Sequence, residues 1–237
     1  MGNSKSKYRN IEETKYNNNG VKKISFKDNT LFIGETKKNN GHGKGAIYFS
    51  DGGFYLGDLR NNFLHGRGFY KLKNGDSYDG TFKFDEFYKE GTYKFKNGKY
   101  YEGNFTNNLF NGIGTYYNKD GTLLYHGEWK NGKFDGRGIV YHSNGNKKIL
   151  GNFVEGRLNS KCLFFNKDET INKYVFFKNG TKQYDLLIYD NLLKEEKELQ
   201  TTFSNGDDKI FIEKKKNNLF HFSEFYSNLE PSLYFSY

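Results

Sequence analysis

The sequence predicts an all-β fold: an elongated, twisted, single-layer antiparallel sheet of stacked β-hairpins, with a short C-terminal helix and cap. Three observations predict it. A glycine ladder repeats every 23 or 24 residues, aromatic and apolar residues flank those glycines at spacing two, and an Asn-Gly or Asp-Gly dipeptide ends each unit.

The ladder opens with Gly34, Gly43, Gly45 and Gly52. The same offsets give Gly57, Gly66, Gly68 and Gly75, then Gly80, Gly91 and Gly98 with Lys89 in the second slot. Gly103, Gly112, Gly114 and Gly121 follow, and then Gly127, Gly136, Gly138 and Gly145. A period this regular marks one supersecondary unit stacked many times, in which no unit buries its apolar face alone. Function then belongs on a long surface rather than in one deep cleft.

Each unit reads as a hairpin. Its first strand carries Tyr55-Gly57-Leu59, Tyr78-Gly80-Phe82, Tyr101-Gly103-Phe105 or Tyr125-Gly127-Trp129, and spacing of two places all three residues on one face. The second strand continues the period through Gly43-Gly45-Ile47-Phe49 and Gly66-Gly68-Tyr70-Leu72, with Lys44, Arg67 and Thr92 on the other face. Asp51-Gly52, Asn74-Gly75, Asn97-Gly98, Asp120-Gly121 and Asn144-Gly145 close the units, because these dipeptides tolerate the positive φ of hairpin turns. Glycine weakens a strand, so its repetition implies room for a neighbouring ring to lie on the backbone. Ten strands about 4.8 Å apart would make a trough-like ribbon roughly 48 Å long, aromatic on its inner face and extended by partial units at both ends.

The run Tyr125-His126-Gly127-Glu128-Trp129-Lys130-Asn131-Gly132-Lys133-Phe134-Asp135-Gly136-Arg137-Gly138 resembles the MORN (membrane occupation and recognition nexus) repeat. The resemblance covers Phe32 to about Asn146. Upstream, Ile24 to Thr30 reads as a half unit. Downstream, Ile149-Leu150-Gly151-Asn152-Phe153 opens a sixth unit whose later slots hold Ser160, Cys162 and Glu169. Terminal decay of this kind suits capping units. The expected organisation is a basic anchor segment over 1–20, the repeat sheet over 21–190, and a helix with an aromatic capping or docking tail over 191–237.

The N-terminus, Met1-Gly2-Asn3-Ser4-Lys5-Ser6, fits the N-myristoylation pattern once Met1 is removed, with Gly2 as acceptor. Lys5, Lys7 and Arg9 follow, with no acidic residue among the first eleven. A single acyl chain binds membranes only marginally, with an association constant on the order of 10^4 per molar. Three basic residues supply a second signal worth about 1 kcal/mol each at an anionic leaflet. Cys162 lies in the apolar context Lys161-Cys162-Leu163-Phe164-Phe165 and reads as a packed residue. One cysteine excludes a disulfide framework, and the chain shows no secretory signal and no apolar run of membrane-spanning length.

Net charge is +9, distributed as +4 over residues 1–31, +7 over 32–190 and −2 over 191–237. The basic sheet favours acidic surfaces, which makes anionic lipid one candidate partner and an acidic protein another. Basic residues interleaved with aromatics also occur in nucleic-acid binders, but here the aromatics occupy the periodic packing positions, and no nucleic-acid partner is expected. With 24 Phe and 20 Tyr, the chain is too aromatic for disorder.

After Asp190 the character changes. Asn191 can cap a short helix through Gln200, and the end gathers Phe220, Phe222, Phe225, Tyr226, Tyr234, Phe235 and Tyr237 around Pro231. Such a tail either covers the open sheet edge or docks a partner, a second copy included. Catalysis has little support. Gly41-His42-Gly43-Lys44-Gly45 lacks the Ser or Thr of a phosphate loop, the five histidines show no metal-ligand spacing, and Cys162 has no adjacent histidine to activate it. No catalytic residue, metal or cofactor is expected.

The resemblance implies a non-enzymatic scaffold that tethers partner proteins at a cytoplasmic membrane or the cytoskeleton beneath it. It leaves open a cytosolic assembly module without lipid contact. Similar repeats also precede lysine methyltransferase or lipid kinase domains, but the 47 residues after Asp190 are too few for either. A regulatory module in such a complex ranks behind both readings.

Overall fold

The computed structural model describes residues 21–186 and, as backbone, residues 11–16. The chain divides into two units, Met1–Leu186 and Leu187–Tyr237, and the described structure belongs to the first. The anchor residues Gly2, Lys5, Lys7 and Arg9, and the helix and tail expected after Asp190, lie outside the described residues.

A single open antiparallel sheet holds all the described regular structure, with sixteen strands in the order of the sequence. The strands β1 (Ile11–Tyr16) and β2 (Lys22–Phe26) begin it. Seven hairpins follow: β3 (Leu31–Lys37) with β4 (Asn40–Tyr48), β5 (Phe54–Arg60) with β6 (Phe63–Lys71), β7 (Ser77–Lys83) with β8 (Glu86–Lys94), and β9 (Tyr100–Thr106) with β10 (Leu109–Tyr117). The last three are β11 (Leu123–Lys130) with β12 (Lys133–Tyr141), β13 (Lys147–Val154) with β14 (Arg157–Phe165), and β15 (Ile171–Lys178) with β16 (Thr181–Leu186). Fifteen strand spacings of about 4.8 Å span roughly 70 Å across the twisted sheet. The sheet extends beyond the ten strands of the five clear units, because the decayed units at both ends also pair as strands.

Two kinds of turn alternate. The five Asp-Gly and Asn-Gly sites that end the units form three-residue loops rather than two-residue turns. At one of them the Phe49 N–H donates to Gly53 O at 2.9 Å, and the Gly52 N–H donates to Phe49 O at 3.0 Å with Gly52 at φ 88°. The two-residue turns lie at the other rim, where Asn61 and Asn62 have φ of 53° and 68°, and Asn107 and Asn108 have φ of 51° and 66°. These left-handed pairs have the primed geometry that matches strand twist. Their sequence signal is weaker, because only Asn131-Gly132 and Asn179-Gly180 spell the familiar dipeptide there.

Each full unit also carries a bulge. Between Gly57↔Gly68 and Leu59↔Leu64, one residue of β5 lies opposite three residues of β6. The extra length forces Gly66 to φ 64° and frees the Arg67 N–H, which donates to Asp58 Oδ2 at 3.0 Å. In β12 the Arg137 N–H donates to Glu128 Oε1 at 2.9 Å in the same way.

Candidate interaction surface

A tyrosine row forms the centre of the sheet. Tyr55, Tyr78, Tyr101 and Tyr125 are almost fully buried. Each phenol donates to the carbonyl three residues on, at 2.6 Å to Asp58, 2.9 Å to Thr81, 3.0 Å to Asn104 and 3.0 Å to Glu128. Three of the rings stack on the phenylalanine nine residues later, with centroids 3.9 Å apart for Tyr78–Phe87, 3.9 Å for Tyr101–Phe110 and 3.7 Å for Tyr125–Phe134. Each meets edge-on the aromatic of the next unit, at 5.2 Å for Tyr55–Phe82, 4.9 Å for Tyr78–Phe105, 5.1 Å for Tyr101–Trp129 and 5.6 Å for Tyr125–Phe153. Trp129 also donates its indole N–H to Gly114 O at 3.1 Å. Edge-on and stacked pairs of this kind add about 0.5–1.5 kcal/mol each beyond area burial, so the row ties neighbouring units into one sheet.

The glycines make room for this row in two ways. A Cβ on Gly91 would lie 2.5 Å from the Tyr78 ring and hydroxyl, and one on Gly68 the same distance from Tyr55. On the first strand, a Cβ on Gly80 would lie 2.6 Å from the Gly91 Cα, where backbone meets backbone, and closer still to the Tyr78 hydroxyl. Gly45, Gly114 and Gly138 occupy the ring-facing slot, and Gly34, Gly57, Gly103 and Gly127 the backbone-facing one. Gly43, Gly66, Gly112 and Gly136 occupy the left-handed bulge, where Lys89 replaces glycine at φ 54°.

The sixth unit tests this logic within the chain. Ile149 stands where four units have tyrosine and the first has Phe32, no ring fills the slot, and Cys162 replaces the ring-facing glycine. Cys162 is fully buried, and its Sγ lies 2.7 Å from where a Gly151 Cβ would stand. The backbone-facing glycine, Gly151, is retained.

The exposed part of this face is a ledge beside the tyrosine row. Phe49, Tyr70, Tyr93, Phe95 and Tyr116 are half-buried and form two contacting groups, Phe49–Tyr70 at 5.5 Å, and Tyr93–Phe95 at 4.9 Å with Phe95–Tyr116 at 5.9 Å. Sequence spacing places Tyr70, Tyr93 and Tyr116 fifteen residues after the core tyrosines, but period two alone does not separate a ledge residue from a core residue. Tyr93 donates to Asp76 Oδ2 at 2.7 Å, and Asp76 Oδ1 accepts the Lys96 N–H at 2.8 Å.

Burial pushes the phenols of Tyr55, Tyr78, Tyr101 and Tyr125 far above their ordinary pKa, so they remain hydrogen-bond donors at physiological pH. A pocket near the N-terminal end, lined by Phe26, Phe32, Ile47 and Leu59 among others, has a volume of about 50 Å³. Small-molecule sites run to about 300–1,000 Å³. Among the described residues, no three His, Cys, Asp or Glu side chains are placed to hold a metal ion, and no helix is long and apolar enough to cross a membrane.

Sequence reasoning missed the side chains that tie the hairpin tips together. Asp85 Oδ1 accepts the Leu64 N–H at 2.7 Å and Asn108 Oδ1 accepts the Phe87 N–H at 2.8 Å, each reaching back to the preceding hairpin. The signal was a side-chain acceptor in the second turn position, visible at Asn39, Asn62, Asp85 and Asn108.

An open sheet of hairpins organised around a tyrosine row defines a repeat-scaffold class. The MORN repeat family matches this chain over residues 55–77, 101–123 and 125–147, each segment beginning at one of the buried tyrosines. The chain therefore carries MORN repeats at these places, and the match indicates no catalytic family. No curated protein matches the chain. Among solved structures it is similar to the SAS-4 (dCPAP) TCP domain of Drosophila melanogaster, solved in complex with a proline-rich motif of Ana2 (dSTIL). That similarity has TM-score 0.44 and 8% identity, covering 68% of this chain and 86% of the other. It is also similar to the TCP10c domain of Drosophila melanogaster Sas-4, with TM-score 0.40 and 9% identity, covering 68% of this chain and 96% of that one. Similarity at this level establishes neither family nor function.

Proposed function

We propose that this protein is a non-enzymatic scaffold that holds partner proteins at a cytoplasmic membrane or its underlying cytoskeleton, using the MORN-repeat sheet as the docking surface and Gly2 as an acyl anchor. The observation that carries the scaffold half is the aromatic ledge on an open sheet. Tyrosine and phenylalanine in contact, each part buried and part exposed, form the kind of surface from which protein interfaces draw their energetic centres. The membrane half rests on the Gly2 motif with Lys5, Lys7 and Arg9, and on the MORN match.

The test is fractionation of wild type beside Gly2→Ala in cells that carry out myristoylation. Wild type in the membrane pellet with Gly2→Ala in the supernatant supports the acyl anchor as the primary address. Equal pelleting assigns the address to the repeats or a partner. If both are soluble, the membrane reading fails and a cytosolic assembly module takes its place.

A further inference from the structure

The two rims of the sheet differ in chemistry. The two-residue turns with their flanking strand ends, residues 37–40, 60–63, 83–86, 106–109, 130–133, 154–157 and 178–181, carry eight basic residues against three acidic ones, a net charge of +5. All eight basic side chains are exposed. The opposite loops, 27–30, 49–53, 72–76, 95–99, 118–122, 142–146 and 166–170, carry six of each sign and balance to zero. Apolar exposure has the same bias. Of the large hydrophobic side chains exposed among the described residues, Phe84 (53%), Leu109 (44%) and Val154 (42%) stand on the basic rim, and Tyr184 alone stands elsewhere.

Phe84 is placed there at a cost. It occupies the first position of a two-residue turn at φ 52°, a left-handed conformation that the corresponding turns give to Asn61, Asn107, Asn131 and Asn179 and to the charged Lys38 and Glu155. Bulky residues rarely adopt it. The ring gains little burial in return, meeting Phe63 edge-on at 5.6 Å and His65 at 5.4 Å. Leu109 opens the strand after the next turn; Lys83 shares the Phe84 tip with Asp85 and Glu86, Arg60 lies on the tip before it, and Lys130 and Lys133 lie on the tip after Leu109.

We propose that this rim, centred on Phe84 and Leu109, is a membrane-docking edge: the sheet stands on its hairpin tips against an anionic bilayer, leaving the aromatic ledge free for a protein partner. Apolar side chains that protrude singly from a rim of net positive charge match what an interfacial anchor needs, since the side chains enter the acyl boundary while the cations remain at the headgroups. A protein partner would have to offer a separate pocket to each protruding tip, and a fluid interface needs none. Sheet twist turns successive hairpins by roughly 40°, so only a few neighbouring tips share one plane, and Phe84 and Leu109 are on adjacent ones. This deepens the membrane half of the proposed function and rests on it.

The test uses full-length protein made in bacteria, with Gly2 unacylated, sedimented with phosphatidylcholine vesicles with or without about 30% phosphatidylserine, at low and physiological salt. Phe84→Asn with Leu109→Thr installs residues that the chain itself uses at equivalent positions, Asn107 and Thr181, so the fold is expected to be retained and is checked by the urea midpoint. Wild type is expected to bind only the anionic vesicles. The Phe84/Leu109 pair is expected to lose at least about tenfold, as burial of two apolar side chains implies. Lys130→Gln with Lys133→Gln should weaken binding comparably, and Lys96→Gln with Lys99→Gln on the other rim should stay within twofold.

No binding by wild type, equal binding to neutral vesicles, or wild-type binding by the Phe84/Leu109 pair overturns the proposal. Loss in both lysine pairs alike also overturns it. Loss in the rim lysine pair alone, with the apolar pair unaffected, overturns insertion and leaves only an electrostatic contact with the anionic headgroups. Because the acyl chain is absent, these outcomes are independent of the fractionation. Unbound protein here, together with a Gly2-dependent pellet in cells, removes the rim and leaves the scaffold reading standing.

Discussion

Alanine at Gly91 should be costly only while Tyr78 is a tyrosine. The new methyl would lie 2.5 Å from the ring and hydroxyl of Tyr78, so the ring must leave its slot. Leaving it breaks the 2.9 Å hydrogen bond to Thr81 O, worth about 1 kcal/mol. It also disturbs the stack on Phe87 at 3.9 Å and the edge contacts with Phe82 at 5.1 Å and Phe105 at 4.9 Å, at about 0.5–1.5 kcal/mol each. Partial relaxation keeps the total near 3 kcal/mol, at the upper end of overpacking costs.

In a Tyr78→Ile background, which copies the Ile149–Cys162 arrangement of the sixth unit, Gly91→Ala should cost less than about 1 kcal/mol, a coupling of about 2 kcal/mol. Gly80→Ala should remain costly in either background, because its Cβ meets the Gly91 Cα at 2.6 Å as well as the Tyr78 phenol, and removing the phenol leaves the backbone clash in place. The assay is urea unfolding of the full chain followed by far-UV circular dichroism and by fluorescence of Trp129, the sole tryptophan. Equal cost of Gly91→Ala in both backgrounds would refute the ring-slot argument and assign this glycine to a backbone role.

Three further outcomes are expected. Tyr125→Phe keeps the ring but removes the 3.0 Å bond to Glu128 O, and should lower stability by about 1 kcal/mol; an unchanged urea midpoint would contradict this. At Asp76, burial raises the carboxyl pKa, but hydrogen bonds from Tyr93, the Lys96 N–H and Asn74 outweigh it and hold the group below its ordinary value. Because the folded pKa is depressed, the contribution is present above the unfolded pKa of about 3.9 and is lost as pH falls through the folded value. Urea midpoints between pH 2 and 6 should therefore fall more steeply for wild type than for Asp76→Asn, and parallel curves would remove Asp76 from the account. Burial also raises the Cys162 thiol, so alkylation by iodoacetamide should be slow in the native chain and fast in urea. Rapid native labelling would show that the sixth unit opens freely.

The sequence by itself determined the repeating unit. Spacing of two around Gly57, Gly80 and Gly103 specifies a strand face, the 23-residue period specifies stacking, and each Asn-Gly or Asp-Gly specifies a reversal, because all of these are local constraints on φ and side-chain direction. It also marked Tyr55, Tyr78, Tyr101 and Tyr125 as the organising aromatics and anticipated that glycine makes space for rings. What it could not separate were residues with the same periodicity and different surroundings. Tyr78 and Tyr93 both obey period two, yet one is sealed by Phe82, Phe87 and Phe105 while the other stands half-exposed over Asp76. Tertiary structure alone decided which turns are two-residue ones, because their left-handed pairs accept residues as different as Asn61-Asn62 and Phe84-Asp85 once the flanking strands impose the twist. It likewise gathered basic residues 23 and 24 residues apart, Lys37, Arg60 and Lys83 and then Lys133 and Arg157, onto one rim with Phe84 and Leu109. Only the antiparallel register places alternate turns on the same edge.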